Sequence, residues 1–282
     1  MGNVSLLRLD KTGGPAPGNK SFKLAVFIAQ AKEQGVSQLV SFGGAWSNHL
    51  HALAALGCQH GIQTIGIVRG EEGERETAML FDARRWGMQI VRMSRQEYRK
   101  RNDPQFQQQL AARYAPCLLI PEGGDSSTGA RGCMAIAQLI REESIHARHI
   151  VIPVGTGTTL AGIAAGLDES YALTGISALK GAGDLERRVQ QHLSALQGGD
   201  FASWQILHDF HCGGFARVSP ALKEFIRAFE AAHGVALEPV YTGKMLFAIH
   251  QLMKRGEWES KTPVLAIHSG GMQGRRGFTW LI

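Results

Sequence analysis

Paired cysteines are missing from this sequence of 282 residues. The chain has four cysteines, Cys58, Cys117, Cys133 and Cys212. They form no CxxC pair and do not cluster with histidine at ligand-like spacing, which argues against a disulfide framework and against a zinc site. We therefore predict reduced thiols and no metal centre.

Long apolar runs are missing as well. No stretch approaches the roughly twenty apolar residues of a membrane-spanning helix. The opening MGNVSLLRLD has no basic segment leading into an apolar one, so it does not resemble a secretory signal. We expect a cytoplasmic protein with no membrane partner.

Charge is sparse and scattered. Charged residues make up 19% of the chain and the formal net charge is +6. The basic clusters RRW at Arg84 and RKR at Arg99 lie on predicted helices without interleaved aromatic residues, a pattern that favours solvated helix faces. A nucleic-acid partner is not expected.

What the sequence does have is an alternation of short β-branched runs with helical stretches that end in glycine, which is typical of parallel βαβ units. After a first helix in PGNKSFKLAVFIAQAKEQG, the strands predicted in a first series are SQLVSFGG, QTIGIVRG, MQIVRMS and CLLIPEGG. A polar helix is predicted from Ser94 to Tyr114, and another from Ala130 to about Glu143.

A second series follows, and its predicted strands are HIVIPVGTG, TGISALKG, SWQILHDF and TPVLAIHSGG, with late helices starting at Ser219 and Tyr241. The two series predict an α/β protein with two lobes, each an open, mainly parallel sheet flanked by helices. We assign residues 1–35 and 125–282 to a large lobe and residues 36–124 to a small lobe, so that the chain crosses between them twice.

A glycine- and threonine-rich loop ends the strand IVIPV. It consists of Gly155, Thr156, Gly157, Thr158 and Thr159. Backbone N–H groups at the start of the next helix and three hydroxyl groups would attract an anion, so a phosphate group is the expected occupant.

Two other interpretations apply to this loop. One is an ordinary strand-to-helix turn. The other is dinucleotide binding, since GTGTTLAG partly matches GxGxxG, but that motif expects an acidic residue at the end of the next strand. Here that strand leads into Lys180, and the Walker pattern is absent, so a small phosphate monoester fits better than NAD or ATP.

Lys20 lies between a Gly-Asn turn and the first helix. A lysine amine together with a phosphate site suggests pyridoxal 5'-phosphate, whose aldehyde condenses with such an amine. The alternative interpretation of Lys20 is a solvated charge at the start of a helix.

Five segments in register carry a family resemblance: GNKSFKL, SFGGAWSNH, PVGTGTTLAG, EPVYTGK and IHSGG. Together they resemble the 1-aminocyclopropane-1-carboxylate deaminase and D-cysteine desulfhydrase family of fold type II, tryptophan synthase β-like pyridoxal phosphate enzymes. The resemblance extends from about Lys11 to Gly271, and it implies that fold, that cofactor, a small amino-acid substrate and a homodimer.

The resemblance also implies a role for individual residues. Lys20 would bond covalently to the cofactor, and Lys23 could approach its phosphate. Asn48 would hydrogen-bond the cofactor's 3-oxygen, and Ser47 would touch the substrate carboxylate or take part in proton transfer. Both Ser47 and Asn48 could equally cap the helix that they precede.

Two further positions follow from the later motifs. Tyr241 matches an aromatic residue implicated in catalysis beside the cofactor ring, although core packing is the alternative. Ser269 matches the position that reaches the pyridine nitrogen. His49, His51 and His268 have no third ligand at metal-binding spacing, so we interpret them as structural.

The sequence departs from the family pattern at three positions. Thr242 stands where the deaminases have a glutamate beside the pyridine nitrogen, as it does in the desulfhydrases, and we count it as a cofactor contact. Phe215 occupies the position of a second active-site tyrosine. Phe22 replaces an arginine of the first motif.

The function predicted from the resemblance is α,β-elimination of the D-cysteine desulfhydrase type, giving a 2-oxo acid and ammonia. Cyclopropane ring opening, racemisation or dehydration of an amino acid, and a non-catalytic protein that binds pyridoxal phosphate are the alternatives.

Overall fold

The fold is described from a computed structural model. It covers residues 3–142, 147–196 and 200–281, so the predicted helix end at Glu143 lies outside the described residues. The strands are β1 Val4–Arg8, β2 Gln38–Gly44, β3 Gln63–Arg69, β4 Gln89–Met93, β5 Leu118–Ile120, β6 His149–Val154, β7 Ala172–Ser177, β8 Ser203–Leu207 and β9 Val264–His268.

The helices surround two sheets built from these strands. They are α1 Asn19–Glu33, α2 Asn48–His60, α3 Ala78–Arg85, α4 Arg95–Tyr98, α5 Pro104–Arg113, α6 Ser127–Glu142, α7 Thr158–Gly166, α8 Leu185–Leu196, α9 Pro220–His233 and α10 Thr242–Lys254.

Both sheets are parallel throughout. The first has the order β4-β3-β2-β5, and the second has the order β1-β9-β6-β7-β8. Central strands such as β6 and β9 are buried on both faces, as parallel sheets covered by helices require. The predicted four-strand unit is confirmed, and the second series contains one strand more than predicted.

That additional strand is β1, which the sequence did not reveal. Its segment VSLLR has one β-branched residue and lies at the edge of its sheet, paired only with β9. Because this strand forms through pairing with a segment about 260 residues away in the chain, no local pattern marks it.

The single polar helix predicted from Ser94 to Tyr114 is wrong. Ser94 caps α4 and Asp103 caps α5, which starts at Pro104, with a 3-10 turn between the two helices. Proline disfavours a helical conformation in the residue before it and lacks the N–H of a helix interior. The helix expected from Ala130 also starts earlier, at Ser127.

Helix α1 lies between the two sheets. Its Leu24 and Phe27 are buried in one apolar cluster with Leu50 and Leu53 of α2. On its other side α1 contacts α6 closely, since a Cβ on Gly132 would lie 2.2 Å from the carbonyl oxygen of Phe22. The helix that follows Lys20 is therefore held from both sides, while the lobe boundaries at residues 35 and 124 stay a prediction.

Two chemical features of the described chain bear on its class. No described helix is long and apolar enough to cross a membrane. All four cysteines fall in the described ranges, and each is a free thiol.

Candidate active site

A cavity of about 950 Å³ opens where the carboxyl ends of strands from both sheets face each other. Open parallel sheets bind ligands at these strand ends. The sequence-predicted residues that line the cavity are Lys20, Lys23, Ser47, Asn48, Gly155, Thr156, Gly157, Thr159, Tyr241 and Ser269. The side chains of Thr158 and Thr242 lie behind its wall.

Lys20 lies in the first turn of α1, half-buried against the cavity. Burial, with a smaller contribution from the charge of neighbouring Lys23, lowers the pKa of the Lys20 amine to about 7. About half of these amines are therefore unprotonated at neutral pH. An unprotonated amine is a nucleophile and a proton acceptor, which a solvated surface lysine is not.

Glycine lets the chain before Lys20 approach the end of β9. Gly18, at φ 128°, and Gly270, at φ 81°, form an antiparallel bridge, and the Asn19 N–H donates to the Ser269 carbonyl over 3.0 Å. A Cβ on Gly18 would lie 2.6 Å from that carbonyl oxygen. The lysine and the serine, more than two hundred positions apart, are thus brought to one site by backbone contact.

Lys23 is buried beneath the glycine-rich loops, with 2% of its surface exposed. Its Nζ donates to the Gly123 carbonyl over 3.2 Å and to Thr156 Oγ1 over 3.4 Å. Burial lowers its pKa. Lys23 thus contacts the loop in which the sequence predicted a phosphate group.

The loop of residues 155–159 offers backbone N–H groups. Gly157 is the N-cap of α7 at φ 85°, and no side chain caps the helix, so the N–H groups of its first turn are left for a ligand. The sequence analysis expected three hydroxyl donors as well. In the structure Thr158 donates its only hydroxyl proton to Asp125 Oδ1 over 3.0 Å, and Thr156 therefore donates to Thr158 over 2.8 Å. Thr159 accepts from the Asn19 amide over 3.0 Å.

Asp125 anchors this arrangement, and the sequence analysis did not single it out. Its carboxylate also accepts from His192 Nε2 over 2.8 Å and from Arg188. These two partners hold the pKa of Asp125 down to about 2 although burial alone would raise it. A permanently charged carboxylate keeps Thr158 in a fixed orientation.

Ser47 and Asn48 begin α2 beside Lys20. Ser47 caps the helix by accepting from the Leu50 N–H over 3.2 Å, and it also lines the cavity, so capping and ligand contact coexist. The Asn48 carbonyl accepts from Gln273 Nε2 over 2.5 Å. Because Gln273 occupies the Asn48 oxygen, the Asn48 amide is oriented with its NH₂ group available as a donor.

Tyr241 packs its ring on the glycine loop, since a Cβ on Gly155 would lie 3.1 Å from Tyr241 Cε1. Glu238 holds the turn before it, and its two oxygens accept from the N–H groups of Val240 and Tyr241 over 2.7 and 2.8 Å. Burial raises the pKa of Glu238 to about 7 and also raises the pKa of the Tyr241 hydroxyl. Phe215, 55% exposed, lies with its ring centre 6.2 Å from that of Tyr241.

Two hydroxyl groups meet at one side of the cavity. Thr242 Oγ1 lies 3.5 Å from Ser269 Oγ, and both side chains are buried. Both hydroxyl groups are uncharged, since serine and threonine side chains do not ionise at neutral pH. Within the described ranges, no three His, Cys, Asp or Glu side chains come together as a metal site.

His49 is the buried cavity residue that the sequence analysis interpreted as structural. Ser41 donates to the Ile120 carbonyl over 2.8 Å, so its oxygen accepts from His49 Nε2–H over 2.8 Å. His49 Nδ1 then carries a lone pair and has no hydrogen-bond partner among the residues that the structure describes. Burial, with smaller contributions from Lys20 and Lys23, lowers the pKa of His49 well below its usual value.

These donors fit pyridoxal phosphate. An uncapped helix start and Lys23 suit the phosphate, the Asn48 amide suits a phenolic oxygen, and the neutral amine of Lys20 suits an aldehyde. Tyr241 provides an aromatic wall beside the loop. The signal for this set was present in the sequence motifs. Glu238 lies in one of them, EPVYTGK, but was not among the predicted site residues, and Asp125 lies in none of the five.

Three comparisons agree with the geometry. A family model described as "Pyridoxal-phosphate dependent enzyme" matches residues 2–270. The D-cysteine desulfhydrase of Salmonella newport strain SL254 is 26% identical over 288 residues, which cover 95% of this chain and 86% of that protein. A crystal structure of an ACC deaminase homologue matches with a TM-score of 0.85 at 23% identity, covering 99% of this chain and 88% of that one.

A fungal L-serine ammonia-lyase from Rhizomucor miehei shares the architecture more distantly, with a TM-score of 0.64, 17% identity and coverage of 99% of this chain and 93% of that one. The predicted fold, two parallel sheets of the fold type II kind flanked by helices, is confirmed.

Proposed function

The chain belongs to the pyridoxal-phosphate-dependent enzymes, and on that premise we propose that it is a lyase acting on a small amino acid. The reaction is α,β-elimination of the D-cysteine desulfhydrase type, which yields a 2-oxo acid and ammonia, with sulfide as the leaving group when the substrate is D-cysteine. The resemblance to the Salmonella desulfhydrases along 95% of the chain supports this choice.

The observation that carries the proposal is a lysine amine whose pKa is lowered to about 7, in one cavity with the Ser269 hydroxyl, which lies 3.5 Å from that of Thr242. When bound, the cofactor supplies a conjugated ring that accepts the electron pair left at the substrate Cα. The hydroxyl groups of Thr242 and Ser269 provide no negative charge to keep a pyridine nitrogen protonated. A weaker electron sink disfavours complete transamination and leaves elimination as the preferred outcome.

The other residues bind and orient. Lys20 Nζ, with its pKa near 7, can take up a proton and return it near neutral pH, as a general base requires. The α7 N-terminus and Lys23 hold the phosphate group, and Asn48 orients the ring through its amide. Ser47, at the start of α2, is placed to contact a substrate carboxylate.

Thr242 also bears on the alternatives. Cyclopropane ring opening, as in the deaminases that the sequence resembles, goes with a glutamate at this position, so Thr242 argues against that reaction. Phe215 favours one second candidate, a protein that binds the cofactor without turnover, because the phenylalanine ring beside Tyr241 has no hydroxyl for proton transfer.

The experiment is reconstitution of the purified protein with pyridoxal phosphate. We expect a visible absorbance band, a reduced adduct on Lys20 after borohydride treatment, and release of sulfide, pyruvate and ammonia from D-cysteine. Lys20→Ala should abolish the band, while Lys254→Ala, at an exposed lysine, should retain it. Turnover of hydroxy amino acids or interconversion of enantiomers without elimination would replace the proposed reaction, and a band without any turnover would support the binding protein.

We further propose that the protein acts in the cytoplasm as a homodimer. Free thiols suit a reducing compartment, and the dimer follows from the family resemblance. Light scattering should give twice the chain mass of 30.6 kDa, and cell fractionation tests the location. A monomer in solution would contradict the dimer without affecting the proposed reaction.

A further inference from the structure

The cavity also has lining residues to which the proposed reaction assigns no role. At about 950 Å³ it is near the upper end of the roughly 300–1,000 Å³ found for sites that enclose drug-sized ligands. Part of its lining comes from the carboxyl ends and following turns of the β2–β5 sheet, beyond the residues proposed to hold the cofactor.

Arginine side chains line that part of the cavity. Arg69 ends β3, Arg95 begins α4, and Arg101 lies in the 3-10 turn after α4. They share the carboxyl end of the sheet because β3 and β4 are parallel neighbours. Three arginines therefore line this part of the cavity.

Acidic residues neutralise only some of these arginines. Arg101 Nε donates to Glu122 Oε2 over 2.5 Å, and the other oxygen of Glu122 accepts from the Tyr98 hydroxyl over 2.9 Å. Both oxygens of Glu122 are thus occupied. A second cavity acid, Glu74, lies 3.8 Å from Arg92.

Arg69 and Arg95 make no ion pair with any carboxylate in the described part of the chain. The Arg69 guanidinium lies 5.9 Å from the centre of the Tyr98 ring, whose own position is fixed by burial. It carries a positive charge at the cavity wall without a negative partner.

Arg69 is also next to the turn that presents Ser47. A Cβ on Gly44 would lie 3.8 Å from Arg69 Nη2, and the Gly44 carbonyl accepts from the Ser47 N–H over 3.0 Å. An amino acid with its α-carboxylate at Ser47 would therefore extend its side chain within the range of a free guanidinium. Guanidinium groups bind carboxylate, sulfonate and phosphate groups with two parallel hydrogen bonds.

We propose that this cavity takes an amino acid whose side chain carries a second acidic group, bound by Arg69 with Arg95 in support. This inference rests on the proposed function, and it adds to it a preference, among small amino acids, for those with an acidic side chain. Arg69 is then the residue that determines specificity.

Pairs of an acidic amino acid and a neutral relative test the inference. In the cofactor-loaded protein, the initial change in the visible band is titrated with aspartate against asparagine and with cysteate against cysteine, in both enantiomers. We expect the acidic member of a pair to bind about tenfold more tightly, as expected for one hydrogen-bonded ion pair at a partly exposed site. Arg69→Gln should remove that preference by lowering the affinity for the acidic member much more than the affinity for the neutral member, and Arg69→Lys should restore part of the preference. Arg99→Gln, at an exposed arginine outside the cavity, should behave as wild type.

Three outcomes would overturn the inference. Equal affinity for the acidic and neutral members in wild type is the first. The second is an equal loss of affinity for the acidic and the neutral member in Arg69→Gln, since Arg69 would then bind the α-carboxylate. The third is the same effect in Arg99→Gln, which would indicate a general charge effect. A protein that forms no cofactor band refutes the proposed function as well, whereas a normal band without acid selectivity refutes this inference alone.

Discussion

The pKa of Lys20 can be measured without cofactor or substrate. With a pKa of about 7 instead of 10.5, about half of the Lys20 amines are neutral at pH 7, against roughly three in ten thousand for an unperturbed lysine. The reactive fraction is therefore larger by about three orders of magnitude. This difference distinguishes a cavity lysine from a solvated charge at the start of a helix.

The assay is competitive acetylation of the cofactor-free protein from about pH 6 to pH 11, with each lysine followed by mass spectrometry. The midpoint of the titration is compared rather than the rate, since the half-buried amine of Lys20 reacts more slowly for steric reasons. We expect a midpoint near 7 for Lys20, with exposed Lys254 as the internal reference. A midpoint near 10 would refute the argument from burial.

Lys23→Met separates the two causes. Methionine keeps the site buried and removes the neighbouring charge, together with the hydrogen bonds of Lys23 to Gly123 and Thr156. The midpoint of Lys20 should rise but stay below 10.5, because burial is the larger cause. An unchanged midpoint would show that the charge of Lys23 does not act on Lys20.

Three further variants test the surroundings of the site. Glu238→Gln replaces a carboxyl group whose pKa is raised from 4.5 to about 7. The raised pKa contributes its full stabilisation of the folded protein below about pH 4.5, and this stabilisation is lost as the pH rises through 7. In urea unfolding the variant should therefore gain stability relative to wild type from pH 5 to pH 8, and a constant difference would contradict this. Lys244→Met removes the donor to the carbonyl oxygens of Gly214 and Ala178, which Lys244 Nζ bonds over 2.8 and 3.2 Å. The variant should therefore lower the free energy of unfolding by about 1–3 kcal/mol per carbonyl group. An unchanged free energy of unfolding would contradict these hydrogen bonds. Gly157→Ala places an L side chain at φ 85° with its Cβ 2.8 Å from Val189, whereas the Cβ in Gly181→Ala, at φ 72°, meets nothing within 4 Å. Gly157→Ala should lose more stability than Gly181→Ala and should bind pyridoxal phosphate more weakly. Equal effects of the two substitutions would refute the role of the close contact.

Much of the fold was predictable because its signals are local. Parallel strands buried on both faces produce apolar β-branched runs, and helices end at glycines such as Gly61 and Gly234, both left-handed C-caps. The error at Ser94 to Tyr114 arose because a polar stretch was extended through Pro104, although the residue before a proline already predicts a boundary. For β1, in contrast, no local signal in the sequence predicts the strand.

The residues of the candidate site also fall into two groups, those that the sequence marks and those that it does not. Lys20, Asn48 and the loop of residues 155–159 lie in segments whose order and spacing mark them, and the structure brings them together at one cavity. Asp125 and Arg69 carry no such mark, since their importance comes from what they face. The sequence does not show whether a given carboxylate or guanidinium group is paired with an opposite charge.

By itself the sequence determined the alternation of strands and helices, the glycine-rich turns and the positions of the motif residues, because these depend on neighbours within a few positions. Only the tertiary structure decided the chemical state of these groups. It buried Lys20 beside Lys23 and so lowered its pKa, turned Thr158 towards Asp125 and away from the cavity, and left Arg69 without a carboxylate. Burial and charge pairing depend on contacts between residues that are distant in the chain, so no local sequence pattern predicts them.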